Sequence, residues 1–216
     1  LFSKKVLLWI CTPVILVLFY YNFWITYIYH KGNIYDNDCM TEAYFRKVVG
    51  KWSTPLNTLV LKDNPDLYEG SPKNLRQVYS NDFAAGSGPF FVAHTDDSAK
   101  SLYLNKEQQV SPIYKFAFAD KNAAWLRASA SFRCSQKEWE GWKMTQFILR
   151  LTNKGTIVKE NMQRVHRLLN DNSNKVIALD MKLPKAEYDS VQVLFWNGAS
   201  DKPIWIDRLN VASFNE

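Results

Sequence analysis

The chain has 216 residues, of which 27 are Lys or Arg and 21 are Asp or Glu, giving a formal net charge of +6. The basic residues are scattered among acidic ones and never form a run of five, which excludes a dedicated nucleic-acid binder. The chain has 3 cysteines, too few for a disulfide-stapled miniprotein, and the stretch from residue 31 to 216 suffices for one domain with its own core.

The first predicted element is apolar. From Val6 to Tyr29 the sequence VLLWICTPVILVLFYYNFWITYIY carries no charge. As a helix at about 1.5 Å per residue it spans roughly 36 Å, enough to cross a hydrocarbon core of about 30 Å. Backbone polar groups inside a bilayer must satisfy one another, so a single run of this kind has to be helical. Pro13 falls in the early turns, where the loss of one backbone donor is tolerated. Trp9 at one end and Tyr20, Tyr21, Trp24, Tyr27 and Tyr29 at the other form an aromatic belt. A soluble core helix rarely stays uncharged for so long. A signal peptide has a shorter apolar stretch and a small-residue cleavage site, and nothing of that kind follows Tyr29. Residues 1–30 therefore read as a transmembrane anchor, with the lipid bilayer as its partner. Lys4 and Lys5 ahead of the span favour an inside N-terminus. Against this, Lys31, Arg46 and Lys47 follow it, diluted by Asp36, Asp38 and Glu42. The first residue is Leu rather than Met, which leaves open that this helix is the last span of a larger membrane protein.

Residues 31–74 read as a juxtamembrane helix and a connecting segment. In NDCMTEAYFRKVVG, Met40, Tyr44 and Val48 lie four apart, with Asp or Asn available as N-cap and Gly50 as C-cap. The next stretch is broken by Pro55, Pro65 and Pro72, with a short strand expected at Thr58 to Leu61.

Residues 75–216 alternate with period two. AWLRASASFRC sets Leu126, Ala128, Ala130 and Phe132 against Trp125, Arg127, Ser129 and Arg133. In the next run Thr145, Phe147, Leu149 and Leu151 alternate with Met144, Gln146, Ile148 and Arg150. Further on, Ile177, Leu179, Met181 and Leu183 share a face, as do Val191, Val193 and Phe195, and PIWIDRLNVASF closes the chain. Asn153-Lys154-Gly155 makes a hairpin turn. The expected fold class is all-β: an antiparallel β-sandwich preceded by one N-terminal transmembrane α-helix and a short juxtamembrane helix.

The closing segment YDSVQVLFWNGASDKPIWIDRLNVASF resembles the last two strands of carbohydrate-binding-module-like, or galactose-binding-like, jelly rolls. VYSNDFAAGSGP is similar to their opening strand and glycine-rich turn, and SPIYKFAFAD and AAWLRASASFRC fit their middle strands. The resemblance covers about residues 75 to 216 and implies a jelly-roll sandwich. It also implies a structural Ca²⁺ tying the first strand to the last, held by Asp82 and Asp207 with backbone carbonyls. Many members lack the metal, and Ala84 stands where a second acid often follows the Phe. The other reading makes Asp82 a turn residue and Asp207 a solvated strand residue.

A sugar platform needs aromatic faces with amides and charged groups beside them. The candidates on the non-core face are Trp125, Arg127, Trp142, Gln146, Arg150, Gln192 and Trp196, on three strands expected side by side in one sheet. Packing at the core or sheet edge is the alternative for such aromatics. Trp139 and Trp142 around Gly141 read as a loop over the core or a ligand clamp. Cys39 and Cys134 are left to pair in an oxidising compartment or to stay as buried thiols. His94, Asp96, Asp97 and Ser87 permit a Ser-His-Asp triad on paper, without a nucleophile elbow. No H-E-x-x-H, C-x-x-C or phosphate loop occurs, and no independent catalytic activity is expected. There is no N-x-[ST] sequon, which speaks against a eukaryotic secreted protein.

The sequence thus predicts a membrane-tethered, bacterial, cell-envelope binding domain outside the cytoplasm, periplasmic or extracellular, for a glycan or an envelope membrane-protein partner. Two alternatives stay open: the accessory C-terminal domain of a polytopic envelope glycosyltransferase, and a purely structural assembly domain.

Overall fold

The structure is a computed structural model that describes residues 4–31, 40–54, 56–93, 100–120, 122–134, 144–169, 174–198 and 200–216, with side chains described except in residues 4–7, 56 and 57. Cys39, His94, Asp96, Asp97, Trp139 and Trp142 lie outside the described residues, so the disulfide, the triad and the loop clamp stay expectations. Two compact units divide the chain, Leu1–Lys62 and Asp63–Glu216.

In the first unit, helix α1 (Lys4–His30) contains the apolar run with Pro13 inside it. It is long and apolar enough to cross a membrane, a property that signal sequences share. From Leu8 to Phe23 its residues are exposed, whereas Trp24 and Ile28, four apart, are buried. Helix α2 (Glu42–Val48) follows, with Tyr44 and Val48 buried. Its N-cap is Thr41, whose hydroxyl accepts from the Tyr44 amide at 3.1 Å and donates to the Leu61 carbonyl. The strand expected at Thr58 to Leu61 is instead part of a 3-10 helix (Leu56–Lys62). In sequence a proline, Pro55, directly precedes this run, and the fixed φ of proline favours a helical start. Thr58 and Leu61, both buried, lie three apart, which stacks them on one side of a threefold turn.

The second unit is a two-sheet antiparallel β-sandwich. Its strands are β1 (Lys73–Asn81), β2 (Phe91–Ala93), β3 (Lys100–Leu104), β4 (Tyr114–Ala117), β5 (Trp125–Arg133), β6 (Gln146–Asn153), β7 (Thr156–Arg164), β8 (Lys175–Lys182), β9 (Ser190–Trp196) and β10 (Ile204–Asn215), with a short helix α3 (His166–Leu169) after β7. One sheet runs β2-β3-β10-β5-β8, with β1 also paired to β10; the other runs β4-β9-β6-β7. From β3 to β6 and again from β7 to β10 every connection crosses between the sheets, which is jelly-roll winding. β6 and β7 form a hairpin on Lys154 (φ 50) and Gly155 (φ 85), the left-handed pair that a two-residue type I′ turn requires.

The alternation expected for the strands holds. Leu126, Ala128 and Phe132 of β5, Phe147, Leu149 and Leu151 of β6, and Val191, Val193 and Phe195 of β9 are all fully buried. The Phe132, Phe147 and Phe195 rings meet between the sheets with centroids 5.1–5.8 Å apart. Cys134 is buried, its thiol donating to the Pro203 carbonyl at 3.3 Å.

The core also takes in a phenol. The Tyr114 hydroxyl on β4 is buried without a hydrogen-bond partner among the described residues, its ring set against Phe83 and Phe195. Burial, with a smaller contribution from Tyr79, pushes this phenol well above its ordinary range. Replacing a buried, unpaired hydroxyl by hydrogen removes a desolvation cost, so Tyr114→Phe should stabilise by roughly 1 kcal/mol. A folded pKa above the unfolded value gives stability that is full below about pH 10 and is lost as pH rises through the folded value. Tyr114→Phe should therefore also blunt the alkaline loss of stability, as read by urea melts at several pH values.

A polar strap joins the two sheets along one side. Residues 63–68 run past β7, an edge strand of one sheet, and β8, an edge strand of the other. The Asp63 carboxylate is fully buried and accepts from the Gln163 side chain and the Arg164 amide, with Arg167 at 3.2 Å. Asp66 accepts from Lys159, the Asn161 side chain and the Lys182 amide. The Asn64 and Asn161 side chains both donate to the Asp180 carbonyl. Asn161 and Gln163 point inward from β7, and the strap supplies partners for these buried amides.

Candidate functional site

The outer face of the β4-β9-β6-β7 sheet gathers the candidate groups. On β6 the inward positions are Phe147, Leu149 and Leu151, so alternation points Gln146, Ile148 and Arg150 outward. On β9, Val193 and Phe195 point inward, so Gln192, Leu194 and Trp196 point outward. The register sets these residues in rungs. Val110 bridges to Trp196, which lies opposite Gln146, itself opposite Arg164. Leu194, Ile148 and Met162 form the next rung. Lys115, Gln192, Arg150 and Glu160 form the third.

The middle rung is apolar and covered, with Leu194 6% and Ile148 5% exposed although both face away from the core. Trp196 is 40% exposed and Val110 47%, which leaves an open indole at one margin. Arg150 is ion-paired with Glu160 across β6 and β7, at side-chain exposures of 24% and 39%. The pair adds about 1 kcal/mol or less to stability at that exposure. It also presents fixed donors and acceptors on the face.

The structure thus brings four of the sequence-predicted residues together: Gln146, Arg150, Gln192 and Trp196, on adjacent strands. Trp142 lies outside the described residues. The single-sheet arrangement expected for all of them is corrected, because β5, which carries Trp125 and Arg127, belongs to the other sheet. There Trp125 is only 7% exposed, with Tyr68 and Phe214 against its ring and its indole N–H donating to Glu216. The Arg127 guanidinium is held by Asp180 at 2.6 and 2.9 Å and lies over the Phe214 ring. Both are packing residues under the strap. Lys115, Glu160 and Met162 were not singled out from the sequence. Only cross-strand register places them beside the others, and register is a non-local property.

Asp82 directly follows β1 and Asp207 lies on β10, the strand paired with β1, near the Asn81–Leu209 pairing. The Asp82 carboxylate accepts from the Ala84 amide at 3.0 Å, an Asx turn. Among the described residues no group of three or more His, Cys, Asp or Glu could hold a metal ion. Ca²⁺ takes about six to eight oxygens, so these two carboxylates would hold one only together with backbone carbonyls.

Concavities lined by described residues also open on the sandwich. One, of about 600 Å³, is lined by Arg76, Gln77, Asp120, Asn122 and Ser213 among others. The second, of about 650 Å³, is lined by Lys185, Glu187, Tyr188 and Asp189 among others. The Tyr188 ring is stacked on Phe118 at 5.8 Å, so one of its faces is already taken.

No protein-family model and no curated protein matches the chain. Among solved structures, the chain is similar to a family 16 carbohydrate-binding module at 17% identity, covering 61% of this chain and 82% of that one, with a TM-score of 0.38. It is similar to the CBM22-1 xylan-binding domain from Paenibacillus barcinonensis at 10% identity over 68% of this chain and 99% of that one, TM-score 0.38. It is also similar to the VP2 subviral particle of infectious bursal disease virus at 12% identity over 67% of this chain, TM-score 0.41, and spans 34% of that chain. The resemblance to carbohydrate-binding modules read from the sequence is thus met among the solved structures. At these identities and TM-scores the likeness carries no argument.

Proposed function

We propose that this chain is a membrane-tethered glycan-binding protein whose sandwich recognises its ligand on the outer face of the β4-β9-β6-β7 sheet. The observation that carries the reading is the Trp196 indole, 40% exposed and in register with Gln146 on a face that also bears Gln192 and Arg150. An open aromatic face packs against the apolar face of a sugar ring, with the Gln146 amide beside it and Gln192 and the Arg150 guanidinium two rungs along to meet hydroxyl groups. The tether is α1, long and apolar enough to span a bilayer. Lys4 and Lys5 ahead of the apolar run support placing the sandwich outside the cytoplasm.

The test is a glycan array probed with the detergent-solubilised full chain, followed by calorimetric titration of the best hit. Trp196→Ala should weaken that hit roughly tenfold, about 1.4 kcal/mol, while leaving the melting curve unchanged. An unaltered affinity removes Trp196 from the site. Silence across the array removes the glycan reading.

A further inference from the structure

The part of α1 that is clear of other residues of the first unit is shorter than a bilayer's hydrocarbon core, so a spanning α1 carries some of its packing to the membrane boundary. Trp24 and Ile28 are buried within the first unit, the Trp24 indole donates to the Lys51 carbonyl at 3.0 Å, and Trp52 packs edge-on against Tyr20 and Tyr27 at 6.1 and 5.3 Å. Only the stretch before Tyr20 is clear of this packing. Counted from Lys4 to Phe19 at about 1.5 Å per residue, that stretch is roughly 24 Å long. The hydrocarbon core of a bilayer is about 30 Å thick. With Lys4 at one boundary, Trp52 lies alongside a stretch of helix roughly 24 to 35 Å away, at the opposite boundary.

We propose that residues 42–52, held to α1 through Lys51 and Trp52, form an interfacial collar seated in a phospholipid headgroup layer. This rests on reading α1 as a membrane span. The collar has the side chains that such a layer selects. Trp52 is 47% exposed and Val49 41%, beside the exposed Tyr20, Tyr21 and Tyr27, and amphipathic rings partition to this level. Arg46, Lys47 and Lys51 are exposed, against one acid, Glu42, which is paired with Arg46. A net positive collar matches lipid phosphates and anionic headgroups. Tyr44 and Val48 are buried, and α2 packs against the 3-10 helix.

The experiment uses the full chain in phosphatidylcholine–phosphatidylglycerol vesicles whose acyl chains carry bromine either near the glycerol end or near the methyl end. Tryptophan quenching is compared between the wild type, Trp52→Phe and Trp9→Phe. The expected result is that Trp52→Phe loses a component quenched by the shallow bromine more than by the deep one. Val49→Trp placed on the Trp52→Phe background should restore shallow quenching, which covers the case in which Trp52→Phe disturbs packing. If Trp52→Phe leaves lipid quenching unchanged and neither Trp52 nor the tryptophan introduced by Val49→Trp is shielded from aqueous iodide, the collar lies in water and the proposal is overturned. If Trp9→Phe also leaves lipid quenching unchanged, α1 is not in the bilayer, and it is the span reading that has failed.

Discussion

Asp180→Ala should cost the sandwich about 3–5 kcal/mol, the range found when one partner of a buried ion pair is removed. Asp180 has 3% of its side chain exposed and Arg127 has 29%, which points to the lower end of that range. The carboxylate accepts both Arg127 contacts and the Tyr68 amide at 3.0 Å. Removing it leaves a guanidinium half-enclosed against Phe214 with no counter-charge, and a backbone donor with no acceptor. The double replacement Arg127→Met with Asp180→Leu should be far milder, because it removes both charges and keeps apolar volume. Urea denaturation of the full chain in detergent separates the two. Equal losses in the single and double variants would mean that packing, and not charge, holds this corner.

The second large effect concerns where the folded unit begins. A polypeptide starting at Leu75 carries nearly every strand but lacks the strap; one starting at Asp63 carries both. Without the strap, Lys159, Asn161, Gln163 and Arg164 lose the carboxylates they now contact, and Arg167, 8% exposed, loses Asp63. Trp125 and Phe214 lose the Tyr68 ring that covers them at 5.4 and 5.1 Å. Asn161 and Gln163 keep only their contacts to the Asp180 and Arg164 carbonyls, and several hydrogen bonds to carboxylates lost together at about 1–3 kcal/mol each approach the whole 5–15 kcal/mol that holds a typical domain folded. The shorter polypeptide should show poor amide dispersion by NMR and bind a hydrophobic dye, and the longer one should do neither. Matching spectra from the two would make the strap dispensable.

The strands were legible because the inward side of a strand is local information: every second residue of β5, β6 and β9 is apolar and buried. Neighbourhood was not legible, because pairing is set by contacts far apart in the chain. β5 lies between β8 and β10, so Trp125 and Arg127 ended under the strap and not beside Trp196. The strap itself has no periodicity; its Asn64 and Tyr68 meet Asp180 across 116 and 112 residues. Half of the candidate site followed from alternation on β6 and β9. Lys115 and Glu160 needed the register.

Chain continuity gives the strap a mechanical role. In a tethered protein, tension on the anchor reaches the sandwich first at Asp63, which follows Lys62 at the end of the 3-10 helix. There the backbone is gripped by Gln163, Arg164 and Arg167 before any strand begins. In such a tethered protein a pull along the chain meets these side-chain contacts before it meets any strand.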